Sequence, residues 1–172
     1  MEEVNLGILG KYSFEDVVCD SDFDSDEEYF NFIKEVLNLY NDNIELIDRR
    51  LLFRMYDELS ACEFPIWNED GFNKMIDEDK LPENFQNMTD EEKSSLFYDF
   101  EINEDNIEEA LSNNVPFINI DKLKDDIIIR NVNIHKDYNK ISIEFDGICD
   151  FFCAMVTFKY DDDFRISEFH AS

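Results

Sequence analysis

An α+β fold is expected for this chain, and three observations predict it. Apolar residues recur at helical spacing through the first half, and period-two alternation takes over in the last third. No β–α–β alternation links the two regions. The 172 residues suit one domain spanning 1–172, with a helical part from about 25 to 113 and a β-meander from about 127 to 169. Four Gly and three Pro leave no linker-like stretch. At this length folding removes about 70% of the extended surface from water. A composition that is 44% hydrophobic and 15% aromatic, with 17 Phe, supplies the core for it.

Val4–Leu9 and Tyr12–Val18 read as a short hairpin turning near Gly10-Lys11. An acidic loop, Asp20–Glu28, then runs into the first helix. Ser25 and Glu28 have the spacing of a capping box, and acids in the first turn suit the helix dipole. Tyr29, Phe32, Ile33, Val36, Leu37 and Tyr40 form the apolar stripe. A second helix follows after Asn41. Asp42 and Glu45 repeat the cap spacing, Ile44, Ile47, Leu51, Met55 and Leu59 line one face, and Leu52 and Tyr56 widen it. A short loop between the helices predicts an antiparallel pair. Arg50 and Arg54 are expected to pair locally with Asp57, Glu58 or Glu45.

Cys62–Pro82 is irregular and contains Trp67, followed by the turn signal Asn68-Glu69-Asp70-Gly71. Thr89 and Glu92 mark a third capping box, opening a helix to about Phe100. Asn106–Ser112 reads as another helix, stopped by Asn113-Asn114 and Pro116. Strands are expected over Ile127–Ile134, Ile141–Phe145, Phe152–Tyr160 and Phe164–Ile166. The polar breaks between them are Asp137-Tyr138-Asn139, Asp146-Gly147 and Asp161-Asp162-Asp163.

Charge narrows the class of partner. The chain holds 43 Asp+Glu against 15 Lys+Arg, a formal net charge of −28. Such a molecule repels nucleic acid and anionic membranes and attracts cationic proteins. The opening Met1-Glu2-Glu3 carries acids where a signal peptide carries bases, and no apolar run approaches membrane-spanning length. The expected compartment is the cytoplasm, with Cys19, Cys62, Cys149 and Cys153 as reduced thiols.

Tests for chemistry return no role set, so no enzymatic activity is expected. Asp20, Asp22 and Asp24 match three positions of a calcium loop. However, Ser25 stands where glycine is required and Asn31 where the closing Glu is required. Cys149 and Cys153 on one strand would lie about 13 Å apart, too far to share a zinc ion with His135 or His170. No nucleophile elbow or phosphate-binding glycine loop is present. Neither a metal nor a cofactor is expected.

The run Ile141–Ala171 resembles the closing segment of a group of small bacterial proteins. There a strand, an acidic-Gly turn, a bulky aromatic and a long apolar strand precede a final strand. These map to Ile141–Phe145, Asp146-Gly147, Phe151-Phe152, Met155–Tyr160 and Asp163–Glu168. The helix Ile44–Leu59 followed by Trp67–Gly71 is also similar to that group. Where the group carries a histidine after the aromatic, this chain has Cys153 or Ala154. Such proteins resemble immunity proteins of bacterial toxin systems, which are small, acidic, cytoplasmic and enzymatically inert. The resemblance implies an inhibitor that occludes a cationic toxin domain, for instance a nuclease.

The expected partner-binding residues are Asp20, Asp22, Asp24, Asp26, Glu27 and Glu28, because six of the nine residues in that segment are acidic. Trp67, Glu69 and Asp70 are added as an aromatic anchor beside two acids. Two alternatives stand beside this reading. A DNA mimic would show rows of carboxylates at phosphate-like spacing, and a small hydrolase would show a pocket around His135 or a cysteine.

Overall fold

The structure, a computed structural model, describes residues 2–60, 84, 87–89, 92, 104–105, 107, 127–147 and 153–171, without the side chains of 56 and 58–60. The expectation of one domain meets a chain that sorts into two compact units. The first joins Met1–Leu51 and Lys122–Ser172, and the second is Leu52–Asp121.

The first unit is α+β. A two-stranded hairpin, β1 (Glu3–Asn5) and β2 (Lys11–Ser13), precedes a two-residue strand, β3 (Val18–Cys19). Helix α1 (Asp26–Asp42) and the start of α2 (Ile44–Ser60) follow. The meander is β4 (Ile128–His135), β5 (Lys140–Asp146), β6 (Cys153–Lys159) and β7 (Arg165–Ala171). The main sheet has the order β3-β4-β5-β6-β7. Its four long strands are antiparallel, while β3 joins parallel to β4.

Period two sorts the meander into two faces. Val132, Ile134, Ile141, Ile143, Phe145, Ala154, Val156 and Phe158 are all buried on one of them. Onto that face α1 turns its own buried stripe, Ile33, Val36, Leu37 and Tyr40. The Tyr40 ring meets Phe158 edge-on at 6.1 Å and Phe164 at 5.5 Å. Burial pushes the Tyr40 phenol pKa up, with the Asp48 carboxylate adding to the effect.

The expected hairpin is present but shorter than Val4–Leu9 with Tyr12–Val18. Gly7–Leu9 and Phe14–Asp16 are 3-10 turns, and Val18 pairs with Asn133 in the other sheet. Asp42 does not cap α2. It is the last residue of α1, and Asn43 alone separates the helices while its carbonyl accepts from Ile47 N–H. Arg54 does pair locally, at 3.4 Å from Asp57. Arg50 donates to the carbonyl of Asp163, 113 residues away. Phe164 lies in the turn before β7, not in the strand, with φ 54°.

In the second unit Leu52, Met55 and Ile107 are buried. The third capping box is reciprocal: Glu92 N–H donates to Thr89 Oγ1 at 3.2 Å, and Thr89 N–H donates to the Glu92 carboxylate at 2.8 Å. The helix it was expected to open, and the body of the one expected over Asn106–Ser112, lie outside the described residues.

Ser25 caps α1. Its backbone is extended (φ −154°, ψ 159°) and its Oγ accepts from Glu28 N–H at 3.2 Å. The Glu28 carboxylate reaches one residue further back than a capping box requires, to Asp24 N–H at 3.2 Å. Ser25→Ala is expected to cost about 1 kcal/mol, read as a lower urea midpoint at unchanged slope.

Candidate protein-binding surface

The N-terminal end of α1 gathers rings and acids on one surface. Phe23 packs edge-on against Tyr29 at 5.4 Å and tilted against Phe32 at 5.5 Å. Tyr29 meets Phe30 at 5.3 Å, and Phe30 meets Phe14 at 6.3 Å. None of these five rings is fully buried, and Phe30 is 48% exposed. Around them Asp20, Asp22, Asp24, Asp26, Glu27 and Glu28 are all exposed, as are Glu15 and Asp16. The predicted acidic segment is thus brought together on one surface. The predicted Trp67, Glu69 and Asp70 lie outside the described residues.

Two consecutive residues of the C-terminal third hold this loop in place. His135 Nδ1 lies 2.5 Å from Asp20 Oδ2, and Asp20 N–H donates to the Ile134 carbonyl at 3.1 Å. Lys136 places its ammonium 4.2 Å from the centre of the Phe23 ring. From α1, the Tyr29 hydroxyl accepts from Cys19 N–H at 3.3 Å.

His135 also joins a relay across the polar face of the sheet. Its Nε2 lies 3.1 Å from Ser142 Oγ, which lies 2.9 Å from Thr157 Oγ1. With neutral imidazole, Nδ1–H must donate to Asp20, so Nε2 accepts from the Ser142 hydroxyl. The order Asp–His–Ser is that of a hydrolytic triad. Its setting is not. Ser142 sits mid-strand with β4 on one side and β6 on the other, so the backbone N–H groups around it belong to the ladders. An oxyanion hole needs such donors free. The relay therefore acts as a latch that fixes the imidazole on Asp20.

The same sheet face carries cations. Lys140 pairs with Lys159, and Lys159 with Arg165, in one row across three strands. Glu168 lies 3.8 Å from Lys140 and Asp162 lies 3.1 Å from Arg165, which offsets part of that charge. Positive charge is disfavoured at this row and favoured at the α1 end, where the acids stand.

Elsewhere among the described residues the chemistry is sparse. His170, two residues from the end of the chain, is held in β7 opposite Met155. Cys153 is exposed. Partial desolvation, then the Asp146 carboxylate, pushes its thiol pKa up. Among the described residues, no three His, Cys, Asp or Glu side chains gather as a metal site, and no helix is long and apolar enough to cross a membrane.

The sequence reading chose the acids of this surface and missed its rings. The signal was present in Phe30, which falls off the apolar 29-32-33-36-37-40 stripe, and in Phe23, set between acids. His135 and Lys136 carried no comparable signal. Compared with known protein families, curated proteins and solved structures, the chain matches none of them.

Proposed function

We propose that the chain is an inhibitory binding protein of the immunity type, which occludes a cationic protein domain, and that the surface at the N-terminal end of α1 makes the contact. The observation that carries this reading is the cluster of five touching, partly exposed rings bordered by six exposed carboxylates of one loop and the first helical turn after it. Aromatic anchors inside a charged rim are the composition of interface hot spots. The carboxylates steer a basic groove toward the surface, and Phe30 is the ring best placed to enter it. A bound basic domain would have its phosphate-holding cations engaged by carboxylates, which is sufficient for inhibition without catalysis.

The test is capture from the native host with the wild-type chain and with an Asp22→Asn, Asp24→Asn, Phe30→Ala chain in parallel. These substitutions leave the Asp20–His135 contact intact. A basic protein should be retained by the wild type. The two Asn changes should slow its association at low salt, an effect that fades above physiological salt, where the Debye length falls below about 8 Å. Phe30→Ala should speed dissociation by an amount equivalent to about 2 kcal/mol. Equal kinetics for the two chains, or retention of nucleic acid in place of a basic protein, removes the proposal.

A further inference from the structure

Lys136 shows what chemistry the ring cluster recognises. Its ammonium stands 4.2 Å from the centre of Phe23 and 5.2 Å from that of Phe32. The two rings lie 5.5 Å apart and are inclined at 42°. Ring faces converging on one ammonium are the means by which proteins hold alkylammonium ions, through attraction to the negative faces of the rings. Lys136 takes no part in the ion pairs found among the described residues, although the chain holds 43 acids. Among the described residues the rings, and not a carboxylate, hold it.

We propose that Phe23 and Phe32 form a cation seat that Lys136 fills in the free protein and that a lysine ammonium of the basic partner takes over on binding. The proposal rests on the reading of this surface as the contact for a cationic protein. Three features make the exchange feasible. Phe23, Phe32 and Lys136 are half-buried, so the seat is reachable from solvent. Lys136 opens a three-residue 3-10 turn and has a flexible four-carbon stem, so its head can swing clear. Its neighbour His135 is fixed by Asp20 on one nitrogen and Ser142 on the other, so the backbone stays in place when the lysine leaves. Exposed Asp22 and Asp24 flank Phe23 and favour any cation that replaces it.

The experiment needs no partner. Phenylalanine ring signals are followed by nuclear magnetic resonance as tetramethylammonium chloride is added, with sodium chloride at matched ionic strength as the reference. The proteins compared are wild type, Lys136→Gln, and Lys34→Gln, which changes net charge equally and leaves Lys136 in its seat. The Phe23 and Phe32 signals of Lys136→Gln should shift at concentrations about two- to fivefold lower than in the other two proteins, the ratio that one surface cation–ring contact is worth. Phe32→Leu added to Lys136→Gln should abolish the response. Preserved β4–β5 amide signals check the fold, and Lys136→Met carries the same comparison if the Gln variant loses them. Rings indifferent to tetramethylammonium once Lys136 is gone, or three proteins responding alike, overturn the proposal. That result would leave the acidic contact surface standing. Intact ring shifts with no basic protein captured would remove the contact reading and with it the exchange for a partner lysine, leaving the seat itself standing.

Discussion

Phe158→Ala is expected to lower stability by about 3–5 kcal/mol, the cost of deleting a fully buried aromatic side chain and leaving a cavity. Phe158 has no exposed surface. It lies on β6 opposite Ile141 of β5 and Ile166 of β7, with the Tyr40 ring edge-on against it from α1 at 6.1 Å. No neighbouring strand can slide in to fill the space, because the ladders on both sides fix their positions. The ring contact itself is lost as well, worth about 0.5–1.5 kcal/mol beyond area burial. Equilibrium urea unfolding should show a lower midpoint with an unchanged slope. Phe158→Leu, which retains most of the volume, should cost less than half as much. A cost below about 1 kcal/mol for the alanine variant would mean that α1 does not rest on this sheet face.

Gly7→Ala is expected to cost about 2–4 kcal/mol, from a backbone contribution and a contact contribution. Gly7 has φ +67°, where a Cβ is strained whatever surrounds it. That Cβ would lie 2.0 Å from Asp48 Oδ1, so the carboxylate must move. The same oxygen accepts from Ile8 N–H at 2.9 Å, and Ile8 is buried. A donor left without its acceptor in such a place costs about 1–3 kcal/mol. Gly10 also has positive φ, +97°, and with ψ −146° it lies in backbone that essentially only glycine adopts, so Gly10→Ala loses stability through the backbone alone, an added Cβ meeting nothing within 4 Å. An unchanged urea midpoint for Gly7→Ala would show that Asp48 does not anchor the N-terminal turn.

What was legible in the sequence was local. The stripe and cap of α1 depend on residues three and four apart: Ile33, Val36, Leu37 and Tyr40 are buried as read while Tyr29 and Phe32 stay partly exposed, and Ser25 caps the helix although Glu28 turns back to Asp24. The meander was legible because alternation at period two states which face each side chain takes. The failures follow from distance or from single residues. β3 is two residues long and pairs with a strand more than a hundred residues later, so no local pattern marks it. Tyr12–Val18 was apolar enough for one strand, but Phe14–Asp16 turns the chain and sends Val18 to the other sheet. The break between α1 and α2 is the single residue Asn43. Phe164 matched the alternation of a strand yet occupies left-handed backbone, held there by its burial against Tyr40 and Tyr160. In the candidate surface the acids were legible as a run, whereas the ring cluster and its lysine exist only after folding.

The two-residue latch has a consequence for the order of assembly. Asp20 and His135 are 115 residues apart in the chain, and the Lys136–Phe23 contact spans nearly the same interval. Closing a loop of that length carries an entropy cost that a local hairpin or helix does not. During synthesis at about 5–20 residues per second, β1, β2 and α1 are complete several seconds before β4 leaves the ribosome. Through that interval the acidic segment and its five rings have neither His135 nor Lys136 to hold them. The candidate surface is thus among the last features to mature, although nearly all of its residues are among the first to be made.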